Sequence, residues 1–160
     1  METTRHFVAT VYAVNDGAVA LHYHDKLEMW LPPGGHIDRD ELPHEAAKRE
    51  TREEIGQDPA LVTPENPGLE SETATAMPRP QHFLLEDINV CDGEVGHQHV
   101  DFVYYGRVES REIDPAAGEA PPEAWEWYTP ADLAAEADRF AADVREAGRR
   151  AIEAVEAATE

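Results

Sequence analysis

GGHIDRDELPHEAAKRETREEIGQ, residues 34–57, is the stretch on which the reading of this chain turns. It follows Leu31-Pro32-Pro33, a run that cannot continue a strand or begin a helix, so Leu31 to Gly35 predicts a tight loop. Pro43 suits the first position of a helix, residues 43–56 are good helix formers, and Gly56 is a plausible stop. Leu42 at the N-cap has nothing to offer the free backbone N–H groups, which predicts a weaker start than Ser or Thr would give. On that helix Glu50 stands one turn before Glu53 and Glu54, so three carboxylates gather toward one face about 5 to 6 Å apart. At an effective dielectric near 20, two unit charges ~6 Å apart cost about 2.8 kcal/mol, against a few tenths for an exposed like-charge pair. A helix partly covered by its preceding loop therefore calls for a cation, and hard carboxylate oxygens suit Mg2+ or Mn2+ better than zinc. Alone, E-x2-E-E would be explained equally well as the solvated face of a helix in an acidic protein. The Gly-Gly loop that must lie beside the carboxylates favours a site.

Gly35, Glu41, Arg49, Glu50, Glu53, Glu54 and Gly56 spell G-x5-E-x7-R-E-x2-E-E-x-G. With each position met by chance roughly one time in ten, the match at one register is an accident of about one in ten million. The stretch resembles the box of the Nudix family, and Trp30-Leu31-Pro32-Pro33-Gly34 is similar to the family's approach to it. Thr51 and Gln57 depart from the pattern at two hydrophobic positions that bear on helix packing and exit. The resemblance implies a Nudix-like α/β/α sandwich with a mixed sheet and a metal-dependent hydrolase that cleaves a diphosphate linkage in a nucleoside-diphosphate-linked substrate or nucleoside triphosphate. It implies that Gly35, through its carbonyl, and Glu50, Glu53 and Glu54 hold Mg2+ or Mn2+. Glu41 and Arg49 would form a supporting ion pair between loop and helix. The general base stays open between Glu53 and Glu50.

Outside the box, residues 7–14 and 18–23 are β-branched and aromatic-rich runs joined through Asp16-Gly17, which predicts a hairpin. Residues 63–80 and 111–124 read as loops, and 82–90 and 98–108 as strands. A C-terminal helix is expected from about 130 to 158, with Thr129 as cap, Pro130 at its first position and Leu133, Phe140, Val144, Ala147, Ala151 and Val155 on one stripe. Strands flanking a central helix indicate a mixed α/β sandwich, and neither repeats nor a composition break divides residues 1–160 into more than one domain.

The 34 acidic and 13 basic residues leave a net charge of −21, with two lysines against eleven arginines. That balance argues against long nucleic acids as partners and resembles proteins of salt-adapted organisms. The absence of a ~20-residue apolar run or a signal-like N-terminus fits a cytoplasmic protein that acts on a nucleotide-like small molecule, its oligomeric state left open with a homodimer as one option. Arg39, Arg52, Arg79 and His99 are candidates for contact with such a substrate, although single arginines more often solubilise a surface. His97, His99 and Asp101 would share one strand face, and Glu94 lies where some Nudix proteins place an extra acid. Trp30, Tyr104, Tyr105, Trp125 and Trp127 are either base-stacking residues or scaffold. A regulatory module of the same fold that binds a nucleotide without catalysis is the alternative, disfavoured by the intact charged positions. The isomerase branch would need more than Cys91.

Overall fold

A computed structural model describes residues 2–159, leaving the side chain of Cys91 outside the described ones. Strand β1 (Thr4–Asn15) turns through Asp16 and Gly17 into β2 (Ala18–His24). Both turn residues have positive φ, 44° and 76°, as a two-residue turn matched to strand twist requires. Next come β3 (Met29–Leu31), β4 (Gly34–His36), helix α1 (Pro43–Ile55) and β5 (Ala60–Val62). The long hairpin of β6 (His82–Cys91) and β7 (Glu94–Arg107) follows, then β8 (Trp125–Tyr128), α2 (Pro130–Ala135) and α3 (Ala142–Ala158). Among the described residues, eight strands form one mixed sheet in which β1 runs parallel to β7 and antiparallel to β2 and β4.

The alternation of β1 builds two cores at once. Ala9, Val11 and Ala13 bury against Ala46, Ala47 and Ile55 of α1, while Tyr12 and Val14 bury against Val144, Ala151, Ile152 and Val155 of α3. A strand buried on both faces reads as a continuous apolar run, and the outcome is an α/β/α sandwich.

Three expectations are corrected. The C-terminal helix is not continuous from 130 to 158: α2 ends at Ala135, one 3-10 turn spans Ala137–Arg139, and Phe140 and Ala141 are extended before α3 begins. The break lets Phe140 turn into the core, edge-on to Tyr128 at 4.9 Å between ring centroids, as a continuous stripe would not. Gly34 and Gly35 are not loop but strand, paired with Thr10 and Ala9. A Cβ on Gly34 would lie 2.9 Å from the Ala9 carbonyl oxygen, so glycine permits that close approach. Leu42 contributes no cap of its own, but Glu45 Oε1 reaches back to accept from the Leu42 N–H at 3.0 Å, which ties down the start of α1. Thr51, the departure within the helix, is fully buried and its hydroxyl donates to the Ala47 carbonyl at 2.8 Å, so the polar atom is satisfied.

Candidate active site

The site lies where the sheet opens. β1 pairs with β2 beside their shared turn, Val14 with Val19 and Asn15 with Ala18; farther out β1 takes β4 as its neighbour and β2 takes β3. The separation leaves a cleft of about 950 Å3 whose walls come from both faces of the sheet. Glu50, Glu54, His22, Gly34 and Gly35 line one side, and Thr10, Glu86, Asp101 and Asp143 line the other.

Helix α1 aims its carboxylates at β4. Glu54 Oε2 accepts from the Gly34 N–H at 2.7 Å. The Glu50 carboxylate lies over Gly35, where a Cβ would come within 2.5 Å of Cδ and 2.7 Å of Oε2. Arg49 gathers the rest: Nη1 donates to Glu50 Oε1 at 3.0 Å and Glu53 Oε2 at 3.1 Å, Nη2 donates to the His36 carbonyl at 3.1 Å, and the guanidinium also grips Glu41. All six charged or glycine positions from Gly35 to Glu54 that the sequence singled out thus meet at one end of α1 and β4. Glu53, with 40% of its side chain exposed, is the most open of the three carboxylates.

The chain after β7 closes the site. The Asp114 N–H donates to the Ile55 carbonyl at 3.0 Å and the Ala116 N–H to the Glu53 carbonyl at 2.7 Å, which satisfies the end of α1. Gly56 makes this possible: its φ is 73°, and a Cβ would strike Asp114. Gln57, the second departure from the box pattern, donates to Ser110 and Glu112 and holds the same segment. Thereby Glu119 reaches the cleft as a fourth carboxylate beside Glu50 and Glu54. Sequence reading passed over Glu119 because it sits in a loop without a motif. Glu94, the acid considered instead, begins β7 at the exposed hairpin turn, outside the cleft.

Burial raises Glu54 to about 9, against the opposing Gly34 N–H and with Glu50 and Glu119 adding repulsion. Burial also raises Glu50, with Arg49 opposing. His22, 4.0 Å from Glu54, is lowered to about 4 by burial and is neutral near pH 7, so it supplies no positive charge. Its ring stacks on Trp125 at 4.3 Å, and its Nδ1 lacks a hydrogen-bond partner. Carboxylates crowded and desolvated in this way are oxygen donors that a hard divalent cation would satisfy, so the donor set fits Mg2+ or Mn2+.

Across the cleft, Thr10 Oγ1 lies 2.8 and 3.0 Å from the two oxygens of the buried Asp101. Burial raises both Asp101 and its neighbour Glu86; the charge of Asp101 and a hydrogen bond between the two carboxyls raise Glu86 further, while that hydrogen bond and the one from Thr10 hold Asp101 down. His97 and His99 share a face with Asp101, as expected, but sit with His6 and His36 at the mouth of the cleft. Among the arginine candidates, Arg52 pairs with Asp58 at 2.9 Å and Arg79 donates to the Glu65 carbonyl at 3.1 Å; neither these nor Arg39 lines the cleft. Lys26, which sequence reading did not single out, does. Tyr104, Tyr105 and Trp125 are buried scaffold.

The NUDIX domain matches residues 4–150, nearly the whole chain. This chain belongs to the Nudix family. A hydrolase of the NUDIX family from Clostridium perfringens shares 32% identity at a TM-score of 0.82, covering 95% of this chain and 99% of that one. A MutT NUDIX hydrolase from Burkholderia pseudomallei is similar in fold at 21% identity and a TM-score of 0.59, covering 95% and 98% of the two chains. A bifunctional NMN adenylyltransferase/ADP ribose pyrophosphatase from Francisella tularensis, complexed with AMP and a manganese ion, shares 14% identity at a TM-score of 0.56 over 89% of this chain and 39% of that one. No curated protein matches the chain. The protein is a Nudix-type hydrolase, and no helix among its described residues is long and apolar enough to cross a membrane.

Proposed function

We propose that this Nudix hydrolase uses Mg2+ or Mn2+ to cleave a diphosphate linkage in a nucleotide-like small molecule. The observation that carries the reading is the meeting of Glu50 and Glu54 with Gly34 and Gly35 at a cleft large enough for a nucleotide, with Glu53 tied to them through Arg49. Glu50, Glu54 and the Gly35 carbonyl are assigned to hold the cation, with Glu53 completing the set from its more open position. When bound, the cation neutralises the diphosphate and lowers the pKa of an attacking water.

The chain's own residues do the remaining work. Arg49 fixes the Glu50 and Glu53 carboxylates, and Glu41 fixes Arg49. The base that takes the water's proton is Glu53 or Glu50. Lys26 is the basic side chain placed to meet phosphate within the cleft. A net charge of −21 otherwise opposes a polyanion, so the bound cation decides whether it enters.

The test is a screen of nucleoside triphosphates, nucleotide sugars and dinucleotides in Mg2+, Mn2+ or chelator, with products identified. Hydrolysis should appear only with metal, fall at least about a hundredfold in Glu53→Gln, and weaken in its metal response in Glu54→Gln but not in the exposed control Glu156→Gln. Chelator-resistant hydrolysis would overturn the metal reading. Metal-dependent nucleotide binding without turnover would favour the regulatory module instead.

A further inference from the structure

His6, His36 and His97 come from three strands that neighbour one another only in the folded sheet. On β1, His6 stands opposite His99 of β7 and Thr4 stands opposite His97, while Val8 stands opposite His36 of β4. Residues two apart on one strand share a face, so all four imidazoles project from the same side of the sheet at the mouth of the cleft. Ring centroids are 4.6 Å apart for His6 and His97, 4.9 Å for His6 and His36, 5.1 Å for His97 and His99 and 5.5 Å for His36 and His99. One ring nitrogen from each of His6, His36 and His97 lies within 4.8 Å of the other two.

We propose that His6, His36 and His97 form a second cation site, for a borderline-soft divalent ion of the Zn2+ class, with His99 packed behind them as a further imidazole. The site is separate from the carboxylate cluster and does not rest on its assignment. Three considerations support it.

The spacing is close to what such an ion needs. Tetrahedral Zn2+ with Zn–N bonds near 2.05 Å places its nitrogens about 3.3 Å apart. His6 Nδ1 and His36 Nε2 are already 3.2 Å apart, and His97 has only to close the remaining gap by rotating a partly exposed ring.

The ligand type discriminates between ions. Imidazole suits zinc, copper, nickel and cobalt, whereas the carboxylate cluster across the cleft mouth suits magnesium and manganese. One protein therefore offers two cation classes two chemically distinct seats.

The rings are prepared for coordination. Thr4 Oγ1 lies 3.0 Å from His97 Nδ1, which orients that ring and leaves Nε2 for a ligand.

Occupancy would also reach the catalytic end of the molecule. His36 follows Gly35 directly, and its carbonyl accepts from Arg49, so an ion on the His36 ring ties β1, β4 and β7 together beside the box.

The experiment uses the full chain in saturating Mg2+, titrated with Zn2+ by calorimetry and with Co2+ by visible absorption. The expected result is one Zn2+ bound per chain that Mg2+ does not displace, a Co2+ spectrum of nitrogen ligation, and affinity at least about tenfold weaker in His6→Asn and in His97→Asn. Glu53→Gln should bind Zn2+ as the parent does. Absence of Zn2+ binding by the parent in Mg2+ would overturn the proposal whatever the variants do. So would affinity unchanged in both histidine variants while circular dichroism shows them folded, or Zn2+ binding lost in Glu53→Gln.

Discussion

Arg49 and Glu41 meet fork to fork, Nε donating to Oε2 at 2.7 Å and Nη2 to Oε1 at 2.9 Å, while the remaining arm of the same guanidinium holds Glu50 and Glu53. Lysine has no fork to repeat this, so Arg49→Lys keeps the charge and loses the geometry. The variant should lose about 2 kcal/mol of stability in chelator, within the range for charge-assisted hydrogen bonds, and at least about tenfold in turnover. Denaturant midpoints and steady-state rates check both. Parental values for the two together would show that Arg49 is a surface charge and not the hub of the site.

Gly35 leaves its side-chain volume to the Glu50 carboxylate. Gly35→Ala must push that carboxylate aside, and overpacking of this kind costs about 1 to 3 kcal/mol. The larger effect should be on metal response: Mg2+ should stabilise the variant less than the parent because Glu50 no longer stands over β4. Thermal melting with and without Mg2+ measures this, and an undiminished shift would remove Glu50 from the cation set.

The box was legible because its chemistry is local: Glu50, Glu53 and Glu54 share a face by helical spacing alone, and Gly56 ends the helix by its own conformational freedom. The hairpin at Asp16-Gly17 was legible for the same reason. Glu119, Glu86 and Lys26 were not, because each enters the cleft through contacts that no nearby residue announces. Glu119 depends on hydrogen bonds from Asp114 and Ala116 to the end of α1, far away in sequence. Strand β4 hid behind Pro32 and Pro33, since the pairing of Gly34 and Gly35 with β1 is a tertiary fact that overrides their loop-like composition. The break at Phe140 escaped for the opposite reason: its spacing fits the stripe of α3, but the ring reaches the core by a reversal of the chain.

The acidic excess predicts salt dependence. Arg149 and Arg150 engage Glu146, and Arg149 also engages Glu153, but a net charge of −21 leaves most acids without such partners. Raising ionic strength from about 0.01 M to 1 M shortens the screening length from roughly 30 Å to roughly 3 Å, which relieves self-repulsion across the whole surface. Melting in molar potassium chloride should therefore lie several degrees above melting in dilute buffer. Equal melting temperatures in the two would exclude adaptation to salt as the meaning of the composition.

Glu54 links pH to both stability and metal. Burial raises it from 4.5 to about 9, so between those values the folded chain keeps a proton that the unfolded chain has lost. The stabilisation is complete below 4.5 and is lost as pH rises through about 9. His22 and His99, lowered from 6.5 to about 4 by burial, are neutral in the folded chain throughout this window and mostly neutral in the unfolded chain, so between pH 7 and 9 they add only a small rise that opposes the fall from the carboxyls. Glu86, also raised to about 9 by burial, acts with the same sign in this window, so Glu54→Gln should flatten the slope without abolishing it. A cation on Glu54 must expel the proton, and its affinity should therefore tighten by up to roughly tenfold per pH unit below 9. In chelator, the parent's melting temperature should fall from pH 7 to 9; in saturating Mg2+ the fall should shrink, and Glu54→Gln should show no such difference between chelator and Mg2+. A chelated parent whose melting is flat over this range, or a Glu54→Gln variant whose slope still responds to Mg2+, would place the titrating ligand elsewhere than Glu54.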